Sequence, residues 1–411
     1  MVGTPETNTR RTSPSAPVAA RRLRRRLRHV LDAVLVTLIR GILCFIPAAR
    51  RNRNVRRSLW TGSPIISMAR QAQAEKLLGV QSESLVYSTY FVTDEFDRDL
   101  SGWMRSRWGR HLVPYIVFLW ACVRFQRFHF FYNRGLLPQL ETSCFNTREL
   151  HALQALGKEV FLWTYGSDVR TRKRSEALGR FQICGECPTP RKACICDDEL
   201  GRRNYETIRK HATAVFAMGD MTEYTPGSRN DLFFWPVDLN ADGGRRFAPQ
   251  YPDPHSERPV RIVHAPNHRE FKGTRFFLDA IDRIRNDGVE IDLKLVEKVP
   301  NAEALEIYRS ADLIFDQCLI GFHGYFAIEA MAMGKPVLTY IRKREYLLSP
   351  QECPLQSAGP EDVEAALRRL VSDRTRLHEL GLAGRRYVEK YFTLQAFAGR
   401  LKAAVSNRKA A

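Results

Sequence analysis

Beyond residue 60, short apolar runs alternate with longer stretches in which apolar residues recur every three or four positions. The runs have the length of buried strands, and the longer stretches have the period of helices that cover one face of a sheet. The predicted strands are residues 85–89, 127–132, 159–165, 214–218, 261–265, 292–296, 312–316 and 336–340. The clearest predicted helices are residues 113–123, 273–286, 302–310, 325–333, 361–391 and 391–405. This alternation predicts parallel sheets with helices packed against them.

A glycine- and proline-rich run within residues 236–259 interrupts the alternation and predicts a hinge. A chain of 411 residues exceeds the size at which a single core keeps growing. We therefore predict an α/β protein with two Rossmann-like domains that face each other across a cleft, preceded by a basic amphipathic extension. The predicted segments are the extension (1–60), an N-terminal domain (61–240) with a cysteine-rich insert (180–200), a hinge (241–258), a C-terminal domain (259–392), and a crossing helix with its tail (393–411).

Positive charge is concentrated in the extension. Its 14 arginines and two acids, Glu6 and Asp32, give +12 of the formal net charge of +19. Residues 1–20 are rich in Ser, Thr, Pro and Arg and are predicted to be disordered. No aromatic residues interleave the arginines, so nucleic acid is not an expected partner.

Arginine clusters at residues 21–28 and 50–57 flank an apolar run, residues 29–47, which Asp32 and Arg40 interrupt. The interruption and the short length argue against a membrane span and against a signal peptide. We predict an interfacial helix that binds an anionic membrane surface through residues 21–57. The side chains expected in the lipid are Leu31, Val34, Leu35, Leu38 and Ile42. Docking of this helix on the protein's own body is the alternative.

The loop at residues 266–273, PNHREFKG, follows a predicted strand and opens a predicted helix. Ligands of open α/β sheets lie beyond the carboxyl ends of the strands. Arg269 and Lys272 therefore suit a diphosphate held beside a helix N-terminus, although a basic surface loop is an equal alternative at this point.

A second candidate segment, residues 320–340, reads IGFHGYFAIEAMAMGKPVLTY. Gly321 and Gly324 would let the backbone approach a ligand closely. Glu329 lies one turn into the predicted helix among apolar residues, and its carboxylate suits the vicinal hydroxyls of a ribose. A buried acid usually has a polar partner.

The run EAMAMGKPV, residues 329–337, resembles the donor-binding motif of the retaining GT-B glycosyltransferases of family 4 and their relatives. In that family one glutamate holds the ribose, and a second, eight residues earlier, helps to place the sugar. The resemblance implies that Glu329 holds the ribose of a nucleotide-sugar donor. Gly321 stands where the second glutamate is expected, and His323 and Gly324 fill the loop at this site.

The resemblance covers most of residues 260–405. It implies that Arg269 and Lys272 stabilise the departing nucleoside diphosphate, with Asn267 at the family's usual arginine position. YGSDVR, residues 165–170, resembles a loop of the first domain and implies that Asp168 lies near the acceptor. Because cations of the protein would stabilise the leaving group, no catalytic divalent metal is expected.

Four of the nine cysteines, Cys184, Cys187, Cys194 and Cys196, fall within 13 residues. The C-x2-C spacing is typical of zinc sites, whereas C-x-C is tighter than usual. We predict a structural zinc ion; ordinary free thiols and an iron-sulfur cluster are the alternatives.

These observations predict a glycosyltransferase on the cytoplasmic face of a membrane that transfers a sugar, with retention, from a nucleotide-sugar donor to a glycan or lipid-linked acceptor. Two alternatives stay open. One is a sugar phosphorylase or epimerase on the same fold, and the other is a catalytically degenerate binding scaffold, which the glycine at position 321 suggests.

Overall fold

The computed structural model describes residues 18–47, 57–89, 95–131, 133–140, 144–190, 192, 194–233, 235–299 and 301–406. Most of the predicted disordered tail and of the second arginine cluster lies outside the described residues. Within them, the strands form two separate sheets, one of six strands and one of five, and every strand pair is parallel. The predicted α/β class with two Rossmann-like sheets is confirmed.

The first sheet has the strand order β3-β2-β1-β4-β5-β6. Its strands are β1 (Arg57–Thr61), β2 (Gln81–Val86), β3 (Arg98–Asp99), β4 (Arg127–Phe131), β5 (Glu159–Trp163) and β6 (Ala214–Phe216). β1 was not predicted, although it pairs with both β2 and β4 at the middle of the sheet. It follows the arginine cluster directly and crosses the predicted boundary at residue 60.

The helices of this half are α1 (Val18–Cys44), α2 (Ile66–Lys76), α3 (Arg107–Arg124), α4 (Thr147–Ala155), α5 (Arg172–Glu176) and α6 (Asp198–His211). Successive strand residues point to opposite faces, so Leu59 and Trp60 of β1 enter two different cores. The core around Leu59 is closed by α1, α3 and α4, whereas α2 packs on the Trp60 side.

The second sheet has the order β11-β10-β9-β7-β8. Its strands are β7 (Val260–His264), β8 (Ile291–Leu295), β9 (Leu313–Phe315), β10 (Val337–Thr339) and β11 (Gln356–Ser357). Its helices are α7 (Arg269–Lys272), α8 (Thr274–Asn286), α9 (Asn301–Arg309), α10 (Tyr325–Ala332), α11 (Val363–Val371) and α12 (Arg374–Tyr391). The helix predicted for residues 361–391 is thus two helices, and the Asp373 side chain caps the second by accepting the Arg376 N–H at 2.8 Å.

The last helix, α13 (Leu394–Ser406), returns to the first half of the chain and packs against α2. Two links fix the crossing: the Val237 N–H donates to the Phe392 carbonyl at 2.7 Å, and Arg400 donates to the Leu232 carbonyl at 2.8 Å. The two sheets are therefore joined through backbone and side chain as well as through the hinge.

Helix α1 docks on the body along one stripe and leaves another stripe in solvent. Val36, Ile39 and Leu43 are buried in the core beside β1. Asp32 is fully buried on the same stripe, where it accepts hydrogen bonds from Tyr115 Oη at 2.8 Å and Asn146 Nδ2 at 3.0 Å. Among the described residues, no helix has the length and apolar character that crossing a bilayer requires.

Candidate functional site

The candidate site lies where the second sheet presents the carboxyl ends of its strands. β9 ends at Phe315, and the loop that follows, residues 316–324, leads into α10. The loop after β7 carries α7 to the same edge, because the two strands are hydrogen-bonded neighbours in a parallel sheet. Residues predicted from two distant sequence segments are thereby brought together.

Lys272 meets the start of α10 through Asp316. Lys272 Nζ donates to Asp316 Oδ1 at 2.5 Å, and the other carboxylate oxygen accepts the Gly324 N–H at 2.7 Å. The pKa of Asp316 lies below its normal value. Burial alone would raise this pKa, but the positive charge of Lys272 and the two hydrogen bonds outweigh burial. A Cβ on Gly324 would lie 3.2 Å from Lys272 Nζ, so the ammonium group sits against this glycine.

Glu329 is buried in α10 with only 6% of its surface exposed. Its Oε1 has no hydrogen-bond partner within the described part of the chain. Burial raises the pKa of Glu329 to about 7, against the opposing effect of Arg246 and Arg70. Such an atom is costly to bury unless a partner supplies a donor, so this carboxyl group is a candidate ligand contact.

The first half of the chain and the hinge supply the cations that face Glu329. Arg70, on α2, and Arg246, in the segment before β7, both pair with Glu95. Arg246 lies 2.9 Å from that carboxylate. These arginines place positive charge from outside the second sheet near the helix that carries Glu329.

The Arg342 side chain lies against Gly321. This glycine has a φ of 91°, which strains any residue with a Cβ, and a Cβ there would lie 2.6 Å from Arg342 Nη2, so a glutamate at this position would also require the guanidinium to move. Arg342 itself donates to Glu223 Oε2 of the first half of the chain at 2.8 Å. Both side chains of this pair are largely buried. An ion pair that joins the two halves thus lies beside the position where the resemblance to family 4 implied an acid.

His323 is buried between aromatic rings. Its ring centroid lies 4.2 Å from that of Phe322 and 5.8 Å from that of Trp235. Burial lowers its pKa to about 4, so the imidazole is neutral near pH 7. Phe322 packs directly over Gly219 of the first half, where a Cβ would overlap the ring. This loop therefore carries part of the contact between the two halves of the chain.

Arg269 and Asn267 are exposed on the segment that follows β7. Arg269 forms a two-pronged ion pair with Glu297, at 2.7 Å and 2.5 Å, at the end of β8. Half of the arginine side chain stays exposed, so this pair exchanges readily with solvent or with another anion.

The Asp168 carboxylate points back into the loop that carries it. Its Oδ1 accepts the N–H groups of Tyr165 at 2.9 Å and of Gly166 at 2.7 Å. Burial raises the pKa of Asp168 to about 6. The next charged residue, Arg170, pairs with Asp220 at 2.7 Å. In this position Asp168 shapes the loop after β5 and does not project from it.

The four clustered cysteines are free thiols. Across the described residues, no three His, Cys, Asp or Glu side chains are grouped so that they could hold a metal ion, and this includes Cys184, Cys187, Cys194 and Cys196. The structure therefore does not support the predicted zinc ligation. Burial raises the pKa of the Cys194 thiol to about 12.

The cysteine-rich insert instead contacts the second half of the chain. Arg275 of α8 donates to both carboxylate oxygens of Glu186 at 2.6 Å. The ring of Phe181 meets that of Phe276 edge-on at 5.5 Å, and Ile183 is buried in the core of the second sheet. The insert is thus a bridge between the two halves.

Three residues that the sequence did not single out complete the region: Asp316, Glu223 and Arg342. Asp316 stood at the end of a predicted strand, and an acid at that position next to a basic loop was the available signal. Glu223 and Arg342 are 119 positions apart, and nothing in either local sequence links them.

No protein-family model matches the sequence, and no curated protein matches it. Solved structures do resemble it. Sucrose-phosphate synthase from Thermosynechococcus elongatus is 12% identical with a TM-score of 0.55, and the match covers 85% of this chain and 98% of that one. HepE from Anabaena, solved in complex with UDP-glucose, is 11% identical with a TM-score of 0.52, over 85% and 99% of the two chains. A HepE complex with UDP gives 10% identity and a TM-score of 0.54, over 86% and 100%.

At such low sequence identities, the likeness to these structures shows only the fold. The chain has the GT-B architecture, with two Rossmann-like domains, that the predicted resemblance implied.

Proposed function

We propose that the chain is a glycosyltransferase that takes a sugar from a nucleotide-sugar donor and transfers it, with retention, to a glycan or lipid-linked acceptor. The observation that carries this proposal is Glu329, a buried carboxyl group with an oxygen that no described residue satisfies. A ribose with two vicinal hydroxyls supplies two donors to one carboxylate and removes that cost.

In this proposal the diphosphate lies beside Lys272 and Arg269. An ammonium group has three N–H donors, and Asp316 takes one of them. Asp316 is then a positioning residue that holds the ammonium against Gly324 at the beginning of α10. The positive end of the helix and the two cations stabilise the charge that develops on the departing nucleoside diphosphate. Arg269 reaches the donor by exchanging its exposed partner, Glu297.

A retaining transfer of this kind needs no nucleophile from the protein, because the acceptor hydroxyl attacks on the face that the leaving group vacates. The protein contributes orientation and charge stabilisation. The loop that Asp168 shapes would line the acceptor side, and its rigid hydrogen bonding suits a wall for the acceptor. No catalytic divalent ion is invoked, since Lys272 and Arg269 fill that role.

The likeness to HepE, which was solved with UDP-glucose and with UDP, agrees with a nucleotide-sugar as the donor class.

A non-catalytic binding scaffold is the second candidate function. Arg342 fills the place of the family's first acid, and Asp316 already neutralises Lys272. A protein that binds the nucleotide without transferring the sugar would have the same two features. The two candidates differ in turnover and not in nucleotide affinity.

We also propose that the enzyme works at the cytoplasmic face of a membrane, bound peripherally through residues 21–57. The exposed apolar stripe of α1 and its arginines support this location. Lipid-linked acceptors would be reached directly from that surface.

The test is turnover by the purified full chain against a panel of nucleotide-sugars, with nucleoside diphosphate release measured with and without lipid-linked acceptors. We expect release with one donor, reduced at least tenfold by Glu329→Gln and by Lys272→Ala. Glu303→Gln, an exposed acid of α9, is the matched control and should leave the rate unchanged. Nucleotide binding with no turnover on any acceptor would favour the scaffold.

A further inference from the structure

A surface cavity of about 470 Å³ lies between α1 and α3. Arg28 lines it from α1, and Arg107, Arg110 and His111 line it from α3. None of the described residues that line the cavity is acidic. Three arginines around one cavity repel one another, so the arrangement favours an anion that several of them can share.

An exposed apolar rim adjoins this cavity. Trp108, Leu112 and Ile116 repeat every four residues along α3, and all three are exposed. Trp108 is 77% exposed, and Trp103, in the turn just before α3, is 70% exposed. Tryptophan beside arginine is the composition of a membrane interface, where the indole lies at the level of the headgroups.

Helix α1 packs against α3 and also has an exposed apolar stripe. Its outer stripe carries Leu27, Leu31, Val34, Leu38 and Ile42, each at least half exposed. These positions are separated by three or four residues, so they share one face of the helix. The opposite stripe is already used for docking on the body. One helix therefore has two apolar faces, and only one of them has a partner within the described residues.

We propose that α1 and α3 together form a lipid-facing surface, and that the basic cavity between them binds the phosphate of an anionic phospholipid headgroup. The charge of this surface indicates its partner. Exposed arginines on both helices border the apolar stripes, and this combination matches an anionic bilayer. The inference deepens the proposed peripheral association by adding a second helix and a headgroup site.

The location of the cavity relates it to the acceptor. Pro138 and Leu140, which also line it, lie on the segment after β4 and hence toward the carboxyl edge of the first sheet. The loop that carries Asp168 follows β5, the neighbour of β4, at the same edge. A bilayer bound at the cavity lies on the side from which a lipid-linked acceptor would enter.

The experiment is co-sedimentation of the full chain with vesicles of phosphatidylcholine alone or of equimolar phosphatidylcholine and phosphatidylglycerol. Two double variants are compared with the wild type: Arg107→Gln/Arg110→Gln for the cavity and Trp108→Ser/Leu112→Ser for the rim. We expect the first to lower affinity for anionic vesicles about tenfold or more, because each arginine near such a surface adds to the attraction for anionic lipid. The second should lower the affinity by a similar factor.

Matched controls lie elsewhere on the surface. Arg386→Gln/Lys402→Gln removes two exposed cations of α12 and α13, and Leu77→Ser removes an exposed apolar side chain next to α2. Each should bind vesicles as the wild type does. A thermal unfolding curve for every variant shows that it is folded.

Wild-type affinity in both α3 double variants would overturn the proposal, because α1 alone would then account for the binding. Stabilisation by glycerol phosphate or inorganic phosphate without any vesicle binding would also overturn it, since the cavity would then be a site for a free anion. Nucleotide affinity is measured on the same samples, so a failed lipid site and a failed donor site are told apart.

Discussion

Lys272 Nζ lies 2.5 Å from Asp316 Oδ1, and the same carboxylate accepts the N–H of Gly324, the residue that precedes α10. The cation expected to meet the donor's diphosphate is thus held in place by an acid from the neighbouring strand. Because both groups are buried, the pair is costly to break from one side.

We predict that Asp316→Asn destabilises the protein by roughly 3–5 kcal/mol, since it leaves the Lys272 charge without its partner. Equilibrium denaturation of the wild type, Asp316→Asn, Lys272→Met and the double variant checks this. In the double variant most of the loss should be recovered. If the two single losses simply add, the pair is not coupled in the way its geometry implies.

Asp316→Asn also distinguishes two roles for Asp316. The carboxylate either positions Lys272 for the phosphate or competes with the phosphate for Lys272. If Asp316 positions Lys272, Asp316→Asn weakens nucleoside diphosphate binding. If the carboxylate instead occupies the place of the phosphate, its removal strengthens that binding. We expect weaker binding, measured by calorimetric titration.

Glu329 should make stability fall as pH rises. Its pKa is raised by burial from 4.5 to about 7, so the folded state holds the proton more tightly than the unfolded state. The resulting stability is fully present below pH 4.5 and is lost as pH rises through 7. Glu329→Gln removes this loss, and at pH 8 the variant should be more stable than the wild type by up to about 3 kcal/mol.

Denaturant midpoints at pH 5 and pH 8 check the prediction for Glu329, with Glu303→Gln as the exposed control. The Glu329→Gln variant should gain stability only at pH 8. A gain of equal size at both pH values would mean that ionisation of this carboxyl group is not the cause.

Gly321→Glu should not create the sugar contact that the resemblance to family 4 implies. The new side chain would meet the Arg342 guanidinium, and a φ of 91° strains any residue with a Cβ. We predict a loss of about 1–3 kcal/mol from the backbone alone. Adding Arg342→Ala should not restore stability, as measured by thermal unfolding, because it takes the nearer of two cations from the largely buried Glu223 carboxylate. Activity raised above that of the wild type in Gly321→Glu would contradict this account.

Asp32→Ala should release α1 from the body. Asp32 accepts hydrogen bonds from Tyr115, Asn146 and Arg148, and removing it leaves the buried Tyr115 hydroxyl without this acceptor, at a cost of about 1–3 kcal/mol. Limited trypsin digestion measures the release, because α1 is rich in arginine. Cleavage within α1 should accelerate strongly, while Asp279→Ala, an exposed acid of α8, should digest at the wild-type rate.

The second sheet was the easier half to predict, because its strands are short apolar runs separated by amphipathic helices. Strand β7, for example, is displaced by only one residue from its prediction. The central strand β1 was missed because it contributes only RSLWT directly after an arginine cluster, and its burial comes from β2 and β4 on either side. No local pattern carries that information.

The site residues likewise fall into those that could be predicted from the sequence and those that could not. Lys272 was predicted from the loop at residues 266–273, and Gly324 and Glu329 were predicted from the segment at residues 320–340. The Arg342–Glu223 pair and the facing cations Arg70 and Arg246 come from distant segments, and only the folded chain brings them together. The cysteine cluster was predicted from spacing, yet spacing does not reveal that Phe181 and Glu186 hold this segment against α8.

The role of Glu329 as the ribose ligand is tested most directly by deleting the hydroxyls it would bind. The nucleoside diphosphate that stabilises the wild type most is compared by calorimetric titration with its 2′,3′-dideoxy analogue, on the wild type and on Glu329→Gln. We predict that the wild type prefers the ribose form at least tenfold, about 1.4 kcal/mol, and that Glu329→Gln loses most of this preference. Equal affinity of the wild type for both nucleotides, or an unchanged preference in Glu329→Gln, would contradict the account.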